Sequence, residues 1–181
     1  NGNPYDRFGT GNYYPCPLVS GWQSFLGNTV LNSSSLLSAN GVYVDQYGFG
    51  WQYGCYNPAH NHPVVKGGVG SNLQVWSEAE MLKQIKNKLS PDKVTYIEEV
   101  PTDVTSQFLD GSFSYTLQKG RAIGTSNPSN VNLTRFVYPG FKMFEIIKTD
   151  RPIGEDTTAI KTIFFNGEGI WLAGPLNDTG W

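Results

Sequence analysis

The sequence has 181 residues, of which 39% are hydrophobic, 14% aromatic and 15% charged, and its formal net charge at pH 7 is -2. That length fits one domain with its own core, which we place over residues 1–181. The charge balance and the lack of a basic stripe argue against a nucleic-acid partner. The apolar runs are only a few residues long, which argues against a membrane span. Frequent Gly, Pro and aromatic residues favour a β-rich domain of extracellular type.

In the N-terminal third, the sequence predicts an irregular segment followed by several strands. Residues 1–17 show no periodicity, and residues 22–31 predict a hairpin around Gly27-Asn28. Residues 42–47 and 49–56 alternate with a period of two, which is typical of strands.

One segment, residues 77–89, predicts an α-helix. Ser77 and Glu80 have the spacing of a capping box, and Pro91 forbids continuation of the helix. The predicted buried face consists of Leu82, Ile85 and Leu89.

The C-terminal half predicts successive hairpins. Their turns are Asp110-Gly111, Pro139-Gly140 and Asn166-Gly167, the last between predicted strands 158–165 and 168–173. The predicted fold is therefore α+β and strongly β-weighted: a twisted antiparallel sheet, built as a hairpin meander, that clasps the single helix 77–89.

The histidines and cysteines suggest chemistry but predict no catalytic residue. His60 and His62 form an HxH pair downstream of Cys55, and a further ligand could complete a zinc site. Because prolines place the pair in a loop and no second ligand pair follows, we expect no metal and no cofactor. Cys16 and Cys55 could form a disulfide or remain buried free thiols, and nothing marks either as an activated nucleophile.

The aromatic and amide residues around 43–62 are the strongest remaining signal. Sugars stack on aromatic rings and need directional hydrogen bonds, and this stretch offers both. The predicted glycan-binding residues are Tyr47, Gln52, Tyr56, Asn57, His60, Asn61 and His62.

In organisation, one capped helix (77–89) within a series of hairpins, the chain resembles the glycan-binding head of a rotavirus spike protein of group B type. The resemblance implies a non-enzymatic attachment domain on the virion surface. Its implied partners are host cell-surface glycans of N-acetyllactosamine type and the remainder of the spike. Two alternatives stay open: a cell-wall or glycan hydrolase using Cys55, His60 and His62, and a structural capsid or fibre module.

Overall fold

A computed structural model describes residues 11, 15–48, 55, 57–62, 72–98, 100–114, 137–148 and 153–173. These residues form five strands, three α-helices and one 3-10 helix. In chain order the elements are α1 (Ser20–Leu36), β1 (Gly41–Val44), α2 (Asn72–Lys88), β2 (Val94–Glu98), the 3-10 helix (Thr105–Phe108), β3 (Gly111–Ser114), β4 (Lys142–Lys148), α3 (Ile153–Asn166) and β5 (Gly169–Ala173). Within these ranges no helix has both the length and the apolar character needed to cross a bilayer.

The five strands form one parallel sheet in the order β1-β2-β3-β4-β5. Each of the five described strands lies beside the next one in the chain. Parallel strands that follow one another in this order also occur in (β/α)8 barrels. The predicted antiparallel hairpin meander is therefore wrong, and the fold is of the α/β type.

One face of the sheet packs against α2 and forms the main core. Val44, Ile97 and Met143 supply the strand side of this core. The buried face of the helix consists of Met81, Leu82, Ile85 and Leu89, and side chains of α1 pack around it. The predicted burial of Leu82, Ile85 and Leu89 is confirmed. Three large apolar side chains each contribute about 1.5–3 kcal/mol when fully buried, so this contact fixes α2 on the sheet.

The opposite face carries one aromatic ring on each strand. The contacting rings have centroids 4.9–5.8 Å apart and belong to Tyr43, Tyr96, Phe113, Phe144 and Trp171. Tyr43 and Tyr96 are register partners, as are Phe113 and Phe144. Phe113 and Trp171 are each offset by two residues from the partners of Tyr96 and Phe144, Gly111 and Gly169, so the row steps along the strands as it crosses the sheet. Each ring is at least partly exposed.

Asp110-Gly111, predicted as a hairpin turn, instead begins β3. An added Cβ at Gly111 would lie 2.3 Å from Cε1 of Tyr96, so the glycine is needed for close packing rather than for a turn. The Asp110 carboxylate accepts a hydrogen bond from the Thr95 N–H at 2.8 Å and forms an ion pair with Lys86. Asp110 thus links β2, α2 and the beginning of β3.

Asn166-Gly167, also predicted as a hairpin turn, ends α3. Gly167 has a φ of +62°, and its N–H donates to the Phe164 carbonyl at 3.0 Å. The N–H of Glu168 donates to the Ile163 carbonyl at 3.0 Å. Together these bonds form a Schellman motif, so the predicted strand 158–165 is wrong and lies within α3.

The predicted helix over 77–89 lies almost entirely within α2, but the predictions that it is the single helix and that Ser77 caps it are wrong. Helix α2 begins at Asn72, and Ser77 is buried inside it. Its hydroxyl donates to the Pro17 carbonyl and accepts from Nε2 of Gln23, so it joins α2 to the chain before α1. Gly27-Asn28, predicted as a hairpin turn, lies in the middle of α1.

The resemblance to the rotavirus group B head depended on a sheet clasping one helix. Three helices and a parallel sheet remove that architectural basis. The attachment role, the virion location and the spike partner stay predictions that nothing in the fold tests.

The packing of α2 predicts a clear contrast between two substitutions in the same helix. Ile85→Ala, at a fully buried position, should lower the free energy of unfolding by about 2–5 kcal/mol. Lys83→Ala, at an exposed position, should change it by no more than about 0.5 kcal/mol. Urea denaturation of both variants measures the difference, and equal small effects would contradict the packing described here.

Candidate functional site

Four side chains of types that can bind a metal ion converge between the segment before α1 and the loop 55–62. The donor atoms of Cys16, Cys55, His60 and His62 all lie within 4.8 Å of one another. The Cys16 Sγ is 3.3 Å from Nε2 of His62, and the Cys55 Sγ is 3.1 Å from Nδ1 of His60. All four side chains are partly buried. Two sulfur and two nitrogen donors form a complete set for a tetrahedral metal ion.

Local hydrogen bonds shape the loop that carries three of these side chains. The N–H of Ala59 donates to Oδ1 of Asn57 at 3.0 Å, which is an Asx turn. The N–H of His60 donates to the Asn57 carbonyl at 3.2 Å, and that of His62 to the His60 carbonyl at 2.9 Å. The Asn57 amide also lies 3.3 Å from Nε2 of His60 and so orients the imidazole. These bonds bring the two imidazoles together, with ring centroids 5.6 Å apart.

Neither cysteine forms a disulfide. Burial raises the pKa of the Cys16 thiol to about 11, and the neighbouring Cys55 acts in the same direction. A nucleophilic cysteine needs a lowered pKa, so the position of Cys16 does not suit that role.

A cleft of about 310 Å³ lies between α1 and the C-terminal end of β1. Trp22, Leu26 and Val30, spaced four residues apart, line its helix side in one stripe. Val44 and the residues that follow it line the strand side. Pro15 and Pro17 complete the wall, so the residues on both sides of Cys16 border the cleft.

The polar groups of the cleft come from the end of β1. The Tyr43 hydroxyl donates to Oδ1 of Asp45 at 2.8 Å, which fixes the carboxylate above the ring. Gln46 has a φ of +51°, a left-handed conformation that is uncommon for a residue with a side chain. Such strained residues concentrate at functional sites.

Gly48 attaches the segment after the C-terminal end of β1 to the core. It is buried with a φ of +91°, and its N–H donates to Oε2 of Glu78 at 3.2 Å. The Thr105 hydroxyl donates to the Gly48 carbonyl. A Cβ added at Gly48 would lie 3.0 Å from Cδ1 of Ile97. One glycine therefore joins the cleft wall to α2 and the 3-10 helix.

A second carboxylate lies near the same end of the sheet. Val44 and Ile97 are register partners, and Asp45 and Glu98 are the next residues of these two parallel segments. Asp45 shares a face with Tyr43, to which it is hydrogen bonded, and Glu98 shares the face of Tyr96 by alternation. Two carboxylates thus lie on the face of the aromatic row, at the C-terminal ends of β1 and β2.

Residues 5–145, more than half of the chain, match the model of a family described as a domain of unknown function, DUF6259. The chain belongs to the DUF6259 family. No curated protein matches it. The matched part of the DUF6259 chain contains the Cys and His cluster and the cleft, and it ends within β4.

The predicted glycan-binding residues do not form one site in the structure. Tyr47 is only 5% exposed, and burial together with the Glu78 carboxylate raises its pKa. Asn57, His60 and His62 belong to the cluster, and Asn61 is exposed beside it. Gln52 and Tyr56 lie outside the described residues.

Sequence reasoning missed three residues of the DUF6259 site. Cys16 lies 39 positions before Cys55, and no spacing rule connects the two. Trp22 and Asp45 were assigned to strands without a role, because their placement depends on α1 lying against β1. Gln46 belongs to the aromatic and amide stretch 43–62, but nothing in the sequence indicates its left-handed φ.

The role of Gly48 predicts the effect of adding a methyl group there. Gly48→Ala must place a Cβ in a left-handed conformation against Ile97, which should cost about 1–3 kcal/mol. The matched control is Gly27→Ala, within α1 and with no atom within 4 Å of the new Cβ. That variant should be more stable than the parent by about 0.5–1 kcal/mol. Thermal and urea denaturation measure both, and a destabilised Gly27→Ala would contradict the helical assignment of that region.

Proposed function

We propose that this domain binds carbohydrate in the cleft between α1 and the C-terminal end of β1. The observation that carries the proposal is that two aromatic residues, Trp22 and Tyr43, line one cleft together with Asp45 and Gln46. Sugars have apolar faces that stack on rings and hydroxyls that need directional hydrogen bonds. The cleft offers both kinds of contact.

The size of the cleft supports a small ligand. Its volume of about 310 Å³ is at the lower end of ligand pockets, which range from about 300 to 1,000 Å³. Such pockets are mostly apolar with a few convergent polar groups, and this is the composition of the cleft. One or two sugar rings are the appropriate size of ligand.

The position of the cleft supports the same conclusion. In parallel α/β sheets, ligands bind beyond the carboxyl ends of the strands, where side chains of the following loops meet. Asp45 and Gln46 occupy this position after β1, and Gly48 holds their segment rigidly. A rigid polar segment reduces the entropy lost on binding.

The charges around the cleft favour neutral glycans. Among the described residues, its lining contains the acidic Asp45 and no lysine or arginine. An acidic sugar would meet a carboxylate without a compensating cation, which disfavours binding. Neutral glycans are the proposed class, and they include the N-acetyllactosamine type that the resemblance implied.

The experiment compares binding of the parent and three variants to a panel of neutral and acidic glycans. Trp22→Ala removes the stacking surface, and Gln46→Gly removes the amide while relieving its left-handed strain. Each should weaken binding about tenfold or more, because loss of a well-placed contact costs more than about 1 kcal/mol. The control Phe164→Ala removes a 78% exposed ring on α3, outside the cleft, and should bind like the parent.

Two results would contradict carbohydrate binding in this cleft. One is a folded parent that binds no glycan of the panel at millimolar concentration. The other is binding that Trp22→Ala and Gln46→Gly leave unchanged, which would place the site elsewhere.

Hydrolysis of the bound glycan is the second candidate function. It is favoured by the two carboxylates, Asp45 and Glu98, at the ends of adjacent parallel strands, because most glycosidases use a pair of carboxyl groups.

If hydrolysis occurs, Glu98→Gln should reduce the release of reducing sugar by about a hundredfold or more, since it removes an acid–base group. The control Glu80→Gln, exposed on α2, should retain full activity. Glycan binding by the parent without any release of reducing sugar would exclude hydrolysis and leave the binding proposal intact.

A further inference from the structure

We propose that Cys16, Cys55, His60 and His62 bind one structural zinc ion that ties the segment before α1 to the loop 55–62. This inference goes beyond carbohydrate binding and does not depend on it. It rests on the convergence of four donor atoms from two distant parts of the sequence.

The spacing of the donor atoms is close to what zinc requires. With Zn–S bonds of about 2.3 Å and Zn–N bonds of about 2.0–2.1 Å, a tetrahedral ion holds its ligand atoms about 3.3–3.8 Å apart. The four donor atoms all lie within 4.8 Å of one another. The two sulfur–nitrogen contacts, at 3.1 and 3.3 Å, are slightly shorter than the tetrahedral separation. Small side-chain rotations suffice to place all four donors around an ion.

The chemistry of the donors favours zinc over other common metals. Two thiolates and two imidazoles are soft and intermediate ligands, a tetrahedral set typical of zinc, whereas magnesium and calcium require oxygen ligands. On binding, the two thiols release their protons to solvent, and the imidazoles coordinate as neutral bases. Two thiolates balance the charge of Zn²⁺, so the occupied site is neutral. A neutral site suits side chains that are partly buried.

A disulfide accounts for less of the arrangement than a metal does. It would use both cysteines but give the histidines no shared partner. In the structure each sulfur contacts an imidazole nitrogen, and both cysteines are free thiols. The Asx turn at Asn57 and the close turn at His60 aim both rings toward the sulfurs.

The number of ligands assigns the ion a structural role. Four protein ligands close the tetrahedron and leave no position for a substrate or a water molecule. Pro15 and Pro17, on both sides of Cys16, line the cleft, and the Pro17 carbonyl accepts the Ser77 hydroxyl hydrogen bond. The ion would therefore fix one wall of the cleft to the loop and, through Ser77, strengthen its attachment to α2.

The first experiment measures metal binding by the reduced chain after treatment with a chelator. Titration with zinc, followed by elemental analysis, should give one equivalent per chain. Cobalt(II) should bind at the same site and give the visible bands of a tetrahedral ion together with sulfur-to-cobalt charge transfer. Removal of zinc should lower the melting temperature.

The second experiment identifies the ligands. Cys16→Ser and His62→Ala should each weaken zinc binding by at least about tenfold, because loss of even an outer-shell partner can cost that much. The matched control is Asn61→Ala, an exposed side chain between the two histidines. It should bind zinc as the parent does. Far-ultraviolet circular dichroism tests whether each variant is folded.

Three results would overturn the zinc site: no zinc or cobalt bound by the folded, reduced parent; an octahedral cobalt spectrum without charge transfer from sulfur; or zinc affinity unchanged in a folded Cys16→Ser variant. The parent measurements decide the question even if a variant does not fold. A parent that binds zinc but no glycan would refute only the carbohydrate proposal. A parent that binds glycan but no zinc would refute only the metal site.

Discussion

The backbone of Gly48 is the constraint on which the candidate cleft depends. Its N–H and its carbonyl are both bonded to buried side chains, Glu78 from α2 and Thr105 from the 3-10 helix. A buried peptide group without partners costs several kcal/mol, so neither bond can be given up cheaply. Gly48 has a left-handed φ and lies two residues after Gln46, in the segment that lines the cleft. One residue therefore joins the core to the segment that carries the candidate ligand contacts.

Part of the fold could be predicted from the sequence, because helix periodicity is a strong signal. The apolar face of α2 follows from the spacing of Leu82, Ile85 and Leu89, and β1 and β5 lie within or close to the strands predicted over 42–47 and 168–173. The sheet type could not be predicted from the turn dipeptides. Asn166-Gly167 suits a tight hairpin and a Schellman helix end equally well, since both need a left-handed residue. At Asp110-Gly111 the glycine is required by the neighbouring Tyr96 ring, a contact that exists only once the strands are paired.

The candidate site was harder to predict because its parts lie far apart in the chain. The HxH pair and Cys55 were visible as candidate metal ligands, but the local sequence offered no fourth candidate. Cys16 supplies it only because α1 folds back against α2, held by the hydrogen bond from Ser77 to the Pro17 carbonyl. Treating the first 17 residues as an irregular arm hid that contact. Likewise, Trp22 reaches the cleft only when residues 20–36 form a helix rather than a hairpin.

The strand order has a consequence for solubility. Among the described residues β1 has a neighbouring strand on one side only, so in this part of the chain it is an edge strand. Edge strands can recruit a strand from another molecule and so begin aggregation, unless something covers them. Here α1 and the segment 15–17 lie beside β1 around the cleft. Loosening of that segment would turn a local conformational change into a tendency to self-associate.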